Sequence, residues 1–160
     1  MTFSAGSDLC CAANACVLLD TNTSSGKTWD KIPHVTQIST TEQANTPGLV
    51  TSDSAGLEIP VCGLVQSTGN LSIACHSGTG PGLLCINTNY RLRWSVDCDN
   101  IWDGSAAVAD ISAGEHFEAI VKITSVPIDY NIKGNQAVEF NYGFRVVEWI
   151  TKPSCQADSE

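Results

Sequence analysis

Apolar and polar side chains alternate along much of this chain, most clearly between Glu115 and Trp149. From Gln136 to Val147 the even positions are Val138, Phe140, Tyr142, Phe144 and Val146, and the odd ones are Ala137, Glu139, Asn141, Gly143 and Arg145. Successive strand side chains point to opposite faces, so this period predicts a β-strand with one dry face and one wet face. Phe117, Ala119, Val121 and Ile123 form a second apolar row, with Glu118, Lys122 and Thr124 among the opposite set. A short turn is expected between these two strands.

The rest of the chain reads as strand and turn. Ala15 to Leu19 is an apolar run closed by the polar turn Asp20 to Gly26, and Trp29 to Ser39 is extended, with Pro33 confining it to an edge or a bend. Thr40 to Gly56 reads as a long polar loop around Pro47-Gly48, and a loop of that length usually has a task or is disordered. Leu57 to Val65 and Leu71 to Cys75 are expected to form a hairpin, with Gly69-Asn70 as its turn. Pro81 opens the one helical candidate, which runs to about Asn87. Tyr90 to Cys98 alternates again, with Arg91, Arg93, Ser95 and Asp97 on its polar side. Asp99 to Gly114 is a small-residue connection, and Pro153 to Glu160 a polar tail.

Length and composition fit one domain over residues 1–160, mainly β, with its core at about 15–150. Charged residues make up only 16% of the chain, and the net charge of −9 from 17 acids against 8 bases disfavours binding to a nucleic-acid backbone. No run of 18 apolar residues predicts membrane insertion. Met1 to Leu19 lacks the positive start of a signal peptide. Of the eight cysteines, Cys75 and Cys98 fall in phase with apolar strand positions and read as small, reduced core residues. Cys10, Cys11 and Cys16 read as part of a semi-buried N-terminal strand.

Candidate chemistry is sparse. There is no CxxC pair, no GxSxG elbow, and no nucleophile or metal motif around His34, His76 or His116. Gly78 to Gly82 lacks the Lys-Ser/Thr that follows a phosphate-cradling loop, and Pro81 removes one of its donors. Glu115 and Glu118 have opposite strand parity and do not form a carboxylate pair. Neither an enzyme nor a cofactor is expected.

The segment Thr28-Trp29-Asp30-Lys31-Ile32-Pro33-His34-Val35 resembles the early segment of tail tube proteins from long-tailed bacteriophages. The order that follows is also similar: a polar loop (Thr40 to Gly56), a strand and small-residue turn ending at Asn70, a short helix near Pro81 to Asn87, and a closing pair of strands. Val126-Pro127-Ile128 and Gly134 match the step and glycine between that last pair. This resemblance spans roughly Thr28 to Lys152. It implies a β-sandwich or half-barrel subunit with one short helix and a long polar loop. It also implies a structural virion protein, assembled in the host cytoplasm, that closes into hexameric rings and stacks into a tail tube. Its partners are then further copies, other tail proteins, and double-stranded DNA that crosses the lumen without specific binding. Glu118, Glu139 and Asp97 are the candidate lumen-facing acids. Pro47, Gly48, Leu49 and Val50 are the candidate inter-ring contact, and Arg91, Arg93 and Arg145 the candidate inter-subunit charges. A capsid decoration (cement) protein and a secreted disulfide-rich adhesion domain remain the alternatives.

Overall fold

The computed structural model describes residues 15–23, 28–44, 48–50, 53, 55–57, 59–60, 64–75, 83–109, 111, 116–127 and 138–152. Strands β1 (Cys16–Asp20), β2 (Asp30–Lys31), β3 (Val35–Ala44), β6 (Val65–Ala74), β7 (Asn89–Ser95), β8 (Phe117–Ser125) and β9 (Glu139–Thr151) form one antiparallel sheet in the order β2-β1-β7-β8-β9-β6-β3. Strands β4 (Gly48–Leu49) and β5 (Ile59–Pro60) pair separately.

The two edge strands, β2 and β3, are consecutive in the chain and joined only by Ile32, Pro33 and His34. Three residues span little more than 10 Å (~3.3–3.6 Å each), so the sheet must roll until its edges meet there. The corner is pinned on both sides. Ile32 N–H donates to the Val17 carbonyl at 3.0 Å, and Ala74 N–H donates to the His34 carbonyl at 2.9 Å. Pro33 fits such a corner because its ring fixes φ and removes a donor. His34 completes the turn in the left-handed region at φ 55°. Away from the corner the seam gapes into an apolar cleft of about 490 Å³ between Val35 and Ile38 of β3 and Val17, Trp94 and Phe117. Of the two architectures expected, the half-barrel is the one formed.

Rolling gathers the apolar rows of all the long strands onto one inner face. Leu71, Ile73, Leu92, Val121, Ile123, Phe140, Tyr142 and Phe144 are buried there, with Trp94, Phe117 and Trp149 in mutual ring contact at 5.3–6.2 Å. Phe140, Tyr142, Phe144 and Val146 of β9 do form the dry face, whereas beyond them Glu148 and Ile150 are exposed and Trp149 packs inward. Three register shifts against β9 interrupt the alternation of the β8–β9 pair. The short turn expected between these strands lies outside the described residues, which break between Pro127 and Val138.

Other expected boundaries shift. Thr40 to Ala44 is not loop but the second half of β3, paired with β6 from Thr40↔Gly69 to Ala44↔Val65. Gly69-Asn70 is mid-strand, not a turn. Gly69 faces Phe144 across β9, and a Cβ there would lie 2.5 Å from the Phe144 Cζ. The glycine makes room for an aromatic ring and does not reverse the chain. Residues 83–87 form bends and turns in place of the expected helix, of which Pro81 and Gly82 lie outside the described residues. A 3-10 turn, Cys98–Asn100, follows β7.

Candidate functional site

The outer face of the sheet differs at its two ends. At the β1-β7-β8 end it is covered. Register places Arg93 opposite both Leu18 and Glu118, and Arg91 opposite Asp20. Glu118 accepts from Arg91 Nε at 2.6 Å and from Arg93 Nε at 3.1 Å, and it is 3% exposed. The Arg91 Nη2 lies 2.5 Å from one carboxylate oxygen of Glu118, and the Arg93 Nη2 lies 3.1 Å from the other. The two guanidiniums thus share one buried carboxylate, and the Trp29 ring lies 4.5 Å from the Arg93 guanidinium. His116 Nε2 is 3.8 Å from the same carboxylate.

The segment after β7 folds over this cluster. Arg93 donates to the Val108 carbonyl at 3.4 Å, while Leu18, Ile101, Cys16 and Cys98 form a second small core with Trp29, Trp102 and Ile111 against it. A Cys16–Cys98 disulfide with Cα atoms 5.1 Å apart ties this cover to β1, and that spacing suits the bond. The Asp103 carboxylate accepts from Ala106 N–H at 2.7 Å and Ser105 N–H at 2.8 Å, which holds its pKa below the usual carboxylate value. Asp20, fully buried, accepts from Asn22 N–H at 2.8 Å and Thr28 N–H at 3.1 Å and so shapes the turn into β2.

Several expectations are corrected here. Glu118 offers no carboxylate to a lumen, because Arg91 and Arg93 take it up inside the subunit. Those two arginines, expected between subunits, each have an ion-pair partner within the chain. Asp97 is not on a strand face. β7 ends at Ser95, and Asp97 caps the 3-10 turn by accepting from Asp99 N–H at 3.1 Å. Cys98 is oxidised, and Cys75 is exposed just past the end of β6, as is Cys85 in the turn before β7. Cys10, Cys11, Cys62 and Cys155 lie outside the described residues.

At the β9-β6-β3 end no described segment seals the outer face, although Ser72 within it is buried. Gln37↔Ser72, Ser39↔Asn70 and Thr41↔Thr68 pair across β3 and β6, and Ser72↔Asn141, Asn70↔Gly143 and Thr68↔Arg145 continue the rows onto β9. The result is a hydroxyl- and amide-rich surface with Arg145 and Glu139 among its exposed residues. Beyond it, β3 and β6 lead to β4 and β5, where Leu49 (52%), Val50 (57%), Leu57 (72%) and Leu64 (75%) are exposed. Gly48 and Leu49 therefore belong to a strand, and Pro47 lies outside the described residues. On the inner face, burial raises the Tyr142 phenol's pKa, although the Leu83 and Leu84 backbone hydrogen-bonds it; Tyr90, bonded to Cys85 N–H at 3.0 Å, is raised for the same reason. Among the described residues no group of three or more His, Cys, Asp or Glu side chains is placed to hold a metal ion, and no helix is long and apolar enough to cross a membrane.

No protein-family model matches the chain, and no curated protein matches it by sequence. Solved structures do match. A chain of the SPP1 tail tube, determined by solid-state NMR and cryo-EM, superposes with a TM-score of 0.55 at 10% identity, covering 89% of this chain and 78% of that one. A chain from the tail of an empty GTA particle, refined helically with C6 symmetry, gives a TM-score of 0.53 at 13% identity, covering 87% and 96%. The rolled sheet described above is thus the fold these two tail proteins share with this chain.

Proposed function

We propose that this chain is a structural protein of a phage-type tail, whose copies close into six-membered rings and stack into a tube through which double-stranded DNA passes. The observation that carries this reading is the fold likeness to two tail proteins over 87–89% of the chain. Two features of the subunit support it. The half-barrel keeps an open seam, its edge strands have no further strand beside them among the described residues, and unpaired strand edges in a stable protein call for a partner. The β4–β5 arm carries exposed Leu49, Val50, Leu57 and Leu64, apolar surface that a neighbouring ring would cover.

In this assembly the bare outer face of β9, β6 and β3 lines the lumen. Its hydroxyls and amides let DNA slide by exchanging hydrogen bonds with water, and of the three candidate acids Glu139 is the one left on it. The tube belongs to the virion tail, is built in the host cytoplasm, and meets other tail proteins at its ends. No cofactor enters the function.

Negative-stain electron microscopy of the purified chain at high concentration, with and without tail-initiation components, tests the reading. Rings and tubes are expected; only compact monomers under both conditions would overturn it. The arm can be tested separately. Because β3 and β6 pair as far as Ala44↔Val65, the replacement that spares the ladder is Asn45 to Gly63 by a short turn. Closure entropy changes by about 1 kcal/mol or less, so thermal unfolding should stay close to wild type while tubes shorten to rings. Full-length tubes from that variant would remove the arm from the stacking contact.

A further inference from the structure

A second feature of the bare face lies where β8 meets β9. Lys122 and Arg145 are directly opposed on these neighbouring strands, and the row continues to Asn89 on β7, Thr68 on β6 and Thr41 on β3. All five residues are exposed. Opposed side chains of neighbouring strands have Cβ atoms about 4.5–5.5 Å apart, and like charges so placed are destabilising. This chain has 17 acids to 8 bases, yet it sets two cations side by side. Arg91, Arg93 and Lys152 each pair with a glutamate, whereas Lys122 and Arg145 make no ion pair with a described residue. Of the acids on this face, Glu148 stands one row away, opposite Ile120, and Glu139 is six residues from Arg145 along β9.

The adjoining row, Ser39, Asn70, Gly143 and Ser125, forms the floor of a hollow of about 480 Å³ in which Arg145 is the one charged lining residue among the described residues. The hollow is built into the backbone. Gly143 N–H donates to Ser125 Oγ at 3.2 Å, and a Cβ on Gly143 would come within 2.5 Å of that oxygen. A concavity floored by hydroxyls and an amide, with a guanidinium at its wall and an ammonium beside it, offers many donors and two positive charges. A phosphate group suits it, having several acceptor oxygens and a charge able to relieve the Lys122–Arg145 repulsion.

We infer that this hollow is a contact for a backbone phosphate of double-stranded DNA, one per subunit, so that the lumen holds DNA weakly as well as letting it slide. The inference rests on the proposed tube function and assigns a partner chemistry to its wall. Such contacts read no sequence, since phosphates carry none.

The test uses the full chain before assembly, isotope-labelled for NMR and titrated with a short DNA duplex or with inorganic phosphate. The duplex is expected to shift the amides of Thr68, Asn70, Lys122 and Arg145. Apparent affinity should fall roughly three- to fourfold between 50 and 200 mM salt, as one neutralised phosphate charge requires. Lys122→Gln with Arg145→Gln should abolish both effects. The paired change Lys122→Glu with Arg145→Glu should also abolish them and, because it keeps a like-charge pair, should unfold at nearly the wild-type temperature. Shifts confined to other surfaces, or unchanged binding by the glutamine variant, would overturn the inference. Equal affinity for inorganic phosphate and for the duplex, per phosphate, would overturn the assignment to DNA. Micrographs of the same preparations keep the two readings apart. Tubes from wild type without DNA binding would refute the phosphate contact alone, and DNA binding without tubes would refute the tube alone.

Discussion

The two ends of one sheet show how the same alternating sequence leads to opposite outcomes. Strands β7 and β8 place arginines and a glutamate on their outer face, and β9 and β6 place an arginine, threonines and asparagines on theirs. At the first end the cover after β7, with Cys98 and Ile101, seals the polar row, so each charge must find its partner inside. At the second end nothing from the described chain seals the row, and its polar groups, Ser72 apart, stay in water. Parity sorts side chains between faces. Whether the polar face then meets solvent depends on another segment arriving to bury it.

The sharpest way to break this contrast is to remove the shared carboxylate. Glu118→Ala leaves two partly buried guanidiniums without their buried acid, and losing one partner of a buried ion pair typically costs about 3–5 kcal/mol. Glu139→Ala, exposed at the other end, should stay within about 0.5 kcal/mol. Urea unfolding of the two variants measures both. Similar midpoints would mean that the Arg91–Glu118–Arg93 cluster is no more essential than an exposed acid, and that burial does not separate the two ends.

Next in size is the staple over the covered end. Cys98→Ser opens a loop that spans 82 residues of sequence, and disulfides typically contribute about 2–4 kcal/mol. Cys16→Ser should lose the same amount, and the double variant should lose no more than either single one because both remove a single bond. Alkylation without reduction followed by mass spectrometry should find Cys16 and Cys98 protected and Cys75 and Cys85 modified. Labelling of all four would show that the cover is held by packing alone.

These elements also mark how far the chain could be read without a structure. The even-numbered face of β9, the mainly β class and the bend at Pro33 were all legible, because period and proline act locally. The Glu118 cluster was not. Its outward parity was right, but the cover that buries it comes from Asp99 to Ile111, a stretch of small and polar residues with no periodic signal. Arg91-x-Arg93 on one strand, with an acid on the next, was the available hint, and it needed the β7–β8 register before it could be used. Cys98 misled because its apolar phase with Trp94 suggested a continuing strand, whereas the chain leaves the sheet after Ser95. Gly69-Asn70 misled for a different reason. A glycine that makes space for Phe144 looks, in sequence, the same as one that reverses the chain.

The smallest expected effect sharpens the comparison from the bare end. There Lys152 Nζ meets Glu42 at 2.8 Å, linking the residue after β9 to the outer part of β3, with both side chains about two-fifths exposed. The pair resembles Arg91–Glu118 in charge and distance but differs in burial. Exposed pairs contribute about 0–1 kcal/mol and are screened by salt, because water already solvates both partners well. Lys152→Ala should therefore shift the urea midpoint only slightly, and less again at 0.5 M salt, whereas the Glu118→Ala loss should persist at that salt. Lys152 also lies 5.7 Å from the Trp149 ring, so Glu42→Ala is the cleaner partner variant: it removes the ion pair and keeps the ring contact. If Glu42→Ala cost as much as Glu118→Ala, the end of β3 would have to be shielded from water in solution, and the arm would be packed against another copy even before rings form.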